Sequence, residues 1–142
     1  MPKDYVPAKL KQRVFKRGKG CCEYCRSQVK FAIDPFVVEH VIPMSRGGAT
    51  TEENLAIACQ GCNNYKYTKV EGVDPVDGQA APLYNPRTMI WSDHFAWSDD
   101  AAIAIGLTPI GRATVKTLRL NRPGVVNLRQ LLRTTGQHPP KD

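Results

Sequence analysis

One histidine and two asparagines stand at defined spacing in the middle of the chain. Asn54 follows His40 by 14 positions, and Asn63 follows Asn54 by 9. A histidine with a reference pKa near 6.5 is substantially neutral at about pH 7 and can take a proton from water. Glu39 and the amide oxygen of Asn63 are candidate ligands for magnesium, which often binds one or two protein oxygens together with a phosphate. The alternative is that His40 is an ordinary core histidine.

Four of the five cysteines form two matched pairs that frame these residues. Cys22 and Cys25 are separated by two residues, as are Cys59 and Cys62. Two such pairs offer zinc four thiolates, which close its tetrahedral shell and leave no position for substrate, so this zinc would be structural. The alternatives are reduced structural cysteines or disulfides, which a reducing compartment disfavours. Cys21 is one residue out of register and is interpreted as a bystander, with competition with Cys22 as a metal ligand as the alternative.

These residues belong to a longer set of motifs that resembles the HNH endonucleases, specifically the subgroup whose beta-beta-alpha-metal unit is embedded in a four-cysteine zinc site. The resemblance extends over about residues 20–69 and depends on several independent spacings. Its motifs are Cys22-x-x-Cys25, Glu39-His40-x-Ile42-Pro43, Ser45-x-Gly47-Gly48, Thr51-x-x-Asn54-Leu55 and Cys59-x-x-Cys62-Asn63, followed by Lys66.

The resemblance implies a role for each residue of the central set. His40 is similar to the water-activating base of the family, and Asn54 to the residue that braces the loop and orients that base. Glu39 and Asn63 are similar to the ligands of a catalytic magnesium or manganese ion, and the four cysteines to the structural zinc site. The usual family substrate is double-stranded DNA, cut to leave a 5′ phosphate and a 3′ hydroxyl. Asn63 replaces the last histidine of the family name, which favours a hard metal ion.

The charge distribution is compatible with a polyanionic partner. Residues 1–30 carry nine Lys and Arg but only two acidic residues, whereas residues 31–72 carry three basic and five acidic residues. Basic flanks around an acidic centre suit a nucleic acid held from the sides, with a cation at the centre, although a solvated basic surface is an equally simple explanation. The candidate nucleic-acid contacts are Arg46, Lys66, Lys69 and Arg112.

The elements that must position the central set are predicted from apolar patterns and turn residues. Residues 7–17 are expected to form a basic helix, residues 37–42 and 55–58 two strands, and residues 63–69 a short helix. Gly47 and Gly48 lie in the turn between the strands and can take positive φ. Because successive strand residues face opposite sides, Glu39 and His40 can share a site only if that strand bends or bulges.

The second half of the chain is predicted to be a separate extension. Residues 74–86 look like a linker or an irregular segment, and residues 94–107 like a hairpin in which Ile103, Ile105 and Leu107 share one face. Thr108 and Pro109 indicate the start of a helix toward Leu120, and a further helix runs from residue 123 to about 136. Residues 83–129 also resemble the carboxy-terminal extension of some bacterial HNH proteins.

The prediction is therefore an α+β protein with three parts: a basic arm at residues 1–18, an HNH nuclease domain at 19–72, and an extension packed on it at 73–142. Trp91, Phe95 and Trp97 are expected to pack rather than stack on bases, and His94 and His138 to be structural or exposed. The sequence has no apolar run long enough for a bilayer and no signal-peptide pattern, so a cytoplasmic location is expected. The oligomeric state is not predicted. The competing functions are a zinc-stapled nucleic-acid-binding module without turnover and an RNA-cutting nuclease.

Overall fold

A two-stranded hairpin followed by a helix lies at the centre of the computed structural model, which describes residues 5–141. Strand β1 is Val37–His40, strand β2 is Leu55–Ala58, and helix α2 is Gln60–Lys66. The strands are antiparallel in regular register, with His40 opposite Leu55. β1 ends two residues earlier than predicted, and α2 both begins and ends three residues earlier. β2 is buried along its whole length, because the neighbouring elements pack against it.

The basic helix α1, Ala8–Arg17, packs across this hairpin. Pro7 precedes its first residue and Gly18 follows its last. Proline is common at the start of a helix because its missing N–H has no partner there, and glycine is common just after the end. Its buried residue is Val14, while Arg17 donates hydrogen bonds to the carbonyls of Glu52 and Leu55 at 2.9 and 2.6 Å. The first four residues of the predicted basic arm lie outside the described residues.

The segment predicted as a linker is a second hairpin. Strand β3, Glu71–Val73, pairs antiparallel with strand β4, Ala80–Pro82. Asp74 begins the turn, is 1% exposed and accepts two hydrogen bonds from Arg112 at 2.9 and 2.8 Å. The segment is therefore not a linker, because the ion pair between buried Asp74 and partly exposed Arg112 orders its turn. Residues 83–86 form neither helix nor strand, in agreement with the alternative prediction of an irregular segment. The predicted boundary between residues 72 and 73 falls inside β3.

Three further α-helices and a third hairpin complete the α-helices and strands of residues 5–141. They are helix α3 (Trp91–His94), strands β5 (Phe95–Trp97) and β6 (Ala104–Gly106), helix α4 (Pro109–Leu118) and helix α5 (Pro123–Thr134). Thr108 caps α4, as predicted, by accepting a hydrogen bond from Gly111 N at 3.0 Å.

The third hairpin presents its larger apolar side chains to solvent. Ile103, Ile105 and Leu107 are 37%, 42% and 51% exposed, whereas Ala102 and Ala104 are each 1% exposed. The predicted alternation is therefore present, but alanines occupy the inner face because the elements beneath approach closely.

Arg129 of α5 joins the second half of the chain to the first cysteine pair. Its side chain is 4% exposed and donates to the carbonyl of Cys25 at 3.2 Å and to that of Leu120 at 2.8 Å. It also lies 4.9 Å from the centre of the Trp97 ring. Within residues 5–141, no helix has the length and apolar character needed to cross a membrane.

Candidate active site and metal centre

The paired cysteines form one buried cluster that fits a tetrahedral metal ion. The Sγ atoms of Cys22, Cys25, Cys59 and Cys62 all lie within 4.8 Å of one another, and those of Cys25 and Cys59 are 3.7 Å apart. Zinc at about 2.3 Å from each of four sulfurs places them about 3.8 Å from one another. The donor set and its spacing therefore suit a structural zinc ion. Cys21 does not belong to the cluster.

The pKa values of the four thiols are shifted in different directions. Burial raises the pKa of Cys22, and the hydrogen bond from Cys22 is the main cause that lowers the pKa values of Cys25 and Cys59. The Sγ of Cys59 also accepts a hydrogen bond from the backbone N–H of Cys62 at 3.4 Å. Negative charge therefore concentrates on buried sulfur, where a cation stabilises it.

Arg122 supplies positive charge to this cluster from the second half of the chain. Its guanidinium donates to the Sγ atoms of Cys59 at 3.3 Å and Cys62 at 3.7 Å. Burial by itself lowers the pKa of Arg122, but the Cys62 thiolate and its neighbours raise it above its usual value. Gly61 makes this approach possible, because a Cβ at that position would lie 2.5 Å from an Arg122 nitrogen. No local pattern in the sequence indicated this contact.

His40 and Asn63 line the same open groove, which has a volume of about 390 Å³. His40 comes from the end of β1 and Asn63 from α2. Because β1 pairs with β2 and β2 leads into α2, residues that are far apart in sequence lie side by side. The Nε2 of His40 lies 2.9 Å from the hydroxyl of Thr50, a contact that fixes the orientation of the imidazole. The groove is therefore lined by an imidazole and a side-chain amide that come from different elements.

Asn54 holds the loop between the strands together. Its Oδ1 accepts from the N–H of Ile42, and its Nδ2 donates to the carbonyls of Ile42 and Ala49, each at 2.9 Å. Gly48 lies against this side chain, and a Cβ there would be 1.7 Å from the Ile42 oxygen. Only Gly47 of the two glycines has positive φ, at 89°. Asn54 thus fixes the backbone directly after His40.

Glu39 faces the interior instead of sharing the orientation of His40. Glu39 is 5% exposed, and its carboxylate accepts hydrogen bonds from the hydroxyl of Tyr24 and from Lys66 Nζ, the latter at 3.1 Å. Burial raises the pKa of Glu39, whereas the charge of Lys66 opposes that rise. β1 has regular pairing without a bulge, so strand alternation separates the two neighbours. Glu39 borders the same groove as Asn63, but its carboxylate is bound by Tyr24 and Lys66, so its role as a metal ligand stays a prediction.

Two predicted nucleic-acid contacts form ion pairs within the protein, and the structure corrects the prediction for one of them. Lys66 is 1% exposed and donates to Glu39 and to the carbonyls of His40 and Val41, so it cannot reach a phosphate without leaving a buried carboxylate unpaired. Arg112 is bound through two nitrogens to Asp74, but its side chain is 28% exposed, so it stays a predicted phosphate contact.

The other two predicted contacts are exposed close to the groove. Arg46 Nε donates to the carbonyl of Thr68 at 2.6 Å, and Lys69 Nζ to that of Tyr65 at 3.2 Å. Thr68 itself lines the groove. Within residues 5–141 each cation donates one hydrogen bond to a backbone oxygen and retains other donors, so both stay predicted phosphate contacts.

The aromatic residues of the third hairpin pack against one another, as the sequence predicted. Trp91 lies 4.9 Å from Phe95 and 5.1 Å from Trp97, measured between ring centres. His94 Nδ1 is 2.7 Å from a threonine hydroxyl, and His138 is buried with its Nε2 2.8 Å from a backbone carbonyl. These two histidines have structural contacts and lie outside the groove.

Comparison with known proteins identifies the class to which the site belongs. Residues 22–69 match the family model described as HNH endonuclease. A segment of 58 residues is 36% identical to the type IV methyl-directed restriction enzyme EcoKMcrA of Escherichia coli (strain K12). That segment covers 38% of this chain and 21% of the relative. Residues 22–69 therefore match the HNH endonuclease family, and this segment contains a four-cysteine cluster able to hold a metal ion.

Proposed function

We propose that this protein is a metal-dependent endonuclease that hydrolyses phosphodiester bonds in DNA, with His40 as the general base. The observation that carries the proposal is that His40 and Asn63, on different elements, line one open groove inside the matched HNH segment. DNA is the proposed substrate because the relative is named as a restriction enzyme, and restriction enzymes cut DNA.

Each residue of the site has a proposed task. His40 takes a proton from water, while the hydroxyl of Thr50 keeps its ring in one orientation. Asn54 holds the backbone after His40 and thereby positions the base. Asn63 would hold a magnesium or manganese ion together with the substrate phosphate. When bound, that ion stabilises negative charge on the phosphate and on the departing oxygen.

Glu39 acts as a buried anchor in this proposal, and the cysteine cluster as a structural zinc site. The Tyr24–Glu39–Lys66 contacts fix the end of β1, because Lys66 also binds the carbonyls of His40 and Val41. The zinc would tie the chain before β1 to the start of α2. Both arrangements keep the two walls of the groove at a constant separation.

The burial of the Glu39 carboxylate also favours a second candidate function. Without that carboxylate, the groove offers a catalytic cation fewer acidic ligands than the sequence indicated. A zinc-stapled DNA-binding module without turnover would have this property.

Nicking of supercoiled plasmid by zinc-loaded protein distinguishes the two functions. We expect wild type to nick with added magnesium or manganese and not with chelator, and His40→Ala to retain zinc and DNA binding while cutting about 100- to 10,000-fold more slowly. His94→Ala, which removes a histidine outside the groove, is the matched control and should cut at nearly the wild-type rate. DNA binding by all three proteins without any cutting would favour the binding module. Cutting of RNA but not DNA would instead transfer the proposal to ribonucleic acid.

A further inference from the structure

Tyr67 combines an unfavourable backbone conformation with an exposed ring beside the groove. It is the first residue after α2, with φ 50° and ψ −119°. Side chains of L-residues crowd the backbone at positive φ, and this combination with ψ is one that glycine tolerates far better than tyrosine. A tyrosine held in this way needs a compensating reason.

Packing does not supply that reason. Tyr67 is 74% exposed, so its ring contributes little to the core. Tyr65, two residues earlier, is covered by Arg119 at 4.8 Å and Arg122 at 5.8 Å from its ring centre. Among residues 5–141 no aromatic or cation–π contact involves the Tyr67 ring. The exposed ring is therefore directed to solvent at the edge of the groove.

The position of Tyr67 links it to the proposed chemistry. Its N–H donates to the carbonyl of Asn63 at 2.9 Å, and its side chain lines the groove with His40 and Asn63. An exposed aromatic face beside a phosphate-binding site can stack on a nucleobase, and such stacking tolerates any base because every base has a π face. Arg46 and Lys69 supply positive charge near this side of the groove.

We propose that Tyr67 stacks on a base of the substrate next to the phosphate that is cut. Because the faces of bases inside an intact duplex are covered by their neighbours, the ring inserts at a base step that is partly unstacked there. The ring, rather than the hydroxyl, makes the contact, and the strained backbone presents the ring to the groove. This inference rests on the proposed nuclease function. It assigns substrate positioning to a residue outside the His40, Asn54 and Asn63 set.

Glycine and phenylalanine substitutions separate stacking from a structural role. Tyr67→Gly removes the ring and relieves the backbone, so its melting temperature should equal or exceed that of wild type. Its affinity for DNA should fall about ten- to a hundredfold, the effect expected on losing one base-stacking contact. Tyr67→Phe should retain wild-type affinity. Ile90→Gly, at another exposed apolar position (64% exposed), is the matched control and should leave binding unchanged.

The measurements are fluorescence anisotropy of a labelled duplex, with each substitution in the His40→Ala background, and nicking kinetics of the same substitutions with His40 intact. We expect the nicking defect of Tyr67→Gly to appear mainly in KM. If wild type cuts and Tyr67→Gly binds and cuts equally well, the stacking inference is overturned while the nuclease function stands. If wild type binds without cutting and Tyr67→Gly binds less tightly, the nuclease function fails but the base contact is supported. Loss of affinity in Tyr67→Phe equal to that in Tyr67→Gly would show that the hydroxyl, not the ring, is responsible.

Discussion

Replacing Lys66 by methionine should destabilise the protein far more than an ordinary lysine substitution. The side chains of Lys66 and Glu39 are 2% and 4% exposed and lie 3.1 Å apart. Removing one partner of such a pair leaves an uncompensated buried charge, at a cost of about 3–5 kcal/mol. The carbonyls of His40 and Val41 also lose their lysine donor. Since small domains have a free energy of unfolding of about 5–15 kcal/mol in total, Lys66→Met should remove about a fifth of the stability or more.

Urea unfolding of the zinc-loaded protein, followed by tryptophan fluorescence, measures this loss. Lys69→Met is the matched control, because Lys69 is exposed, and it should change the free energy of unfolding by about 0.5 kcal/mol or less. The double variant Glu39→Gln, Lys66→Met removes both charges and should recover most of the loss. If Lys66→Met costs less than about 1 kcal/mol, or if the double variant is no more stable than the single one, the buried ion pair does not act as described.

Three further predictions concern the zinc centre, the loop and the carboxy-terminal histidine. Arg122→Gln and Gly61→Ala should each weaken zinc binding about 10- to 100-fold, measured with a chromophoric chelator, and unchanged affinity would mean that the sulfurs need no arginine. Asn54→Ala should lower the nicking rate and destabilise the fold by about 1–3 kcal/mol in urea unfolding, because it leaves loop groups unpaired; a stable, fully active variant would contradict this. Burial lowers the pKa of His138, so the unfolded chain binds more protons below about pH 6.5 and the free energy of unfolding should fall as the pH decreases from 7 to 5. His138→Gln should flatten this dependence, and an unchanged slope would exclude His138 as its source.

Local patterns were sufficient for the elements whose signals are short and chemically specific. The two cysteine pairs indicated the metal cluster because two cysteines separated by two residues can bind one metal ion together, and two such pairs complete its tetrahedral shell. Thr108 and Pro109 indicated the start of α4 because capping depends on adjacent residues. The bracing role of Asn54 had a different source: the resemblance to the HNH family implied it, and its hydrogen bonds to the loop agree with that implication.

Pairings between distant residues had no such signal. Asp74 and Arg112 are 38 positions apart, and their ion pair converts a proline-rich segment from an apparent linker into a hairpin turn. Lys66 resembled a surface lysine on a helix, but its position under β1 places it in the interior. Local composition indicates which residues favour solvent on average. Asp74 and Lys66 are nevertheless buried, because each has a specific partner of opposite charge.

The hydrogen bond from Arg129 to the carbonyl of Cys25 joins residues 104 positions apart. The segment that matches the family is therefore shorter than the part of the chain that encloses the metal cluster. A fragment trimmed to residues 22–69 would keep every cysteine of the metal cluster, yet it would lack the donors that Arg122 and Arg129 supply to that cluster and its backbone. During synthesis on a ribosome, the first cysteine pair emerges about a hundred residues before Arg129 does. The limits of sequence similarity thus mark the segment that matches the HNH family, while the unit that must be complete before the metal centre is fully enclosed extends to Arg129.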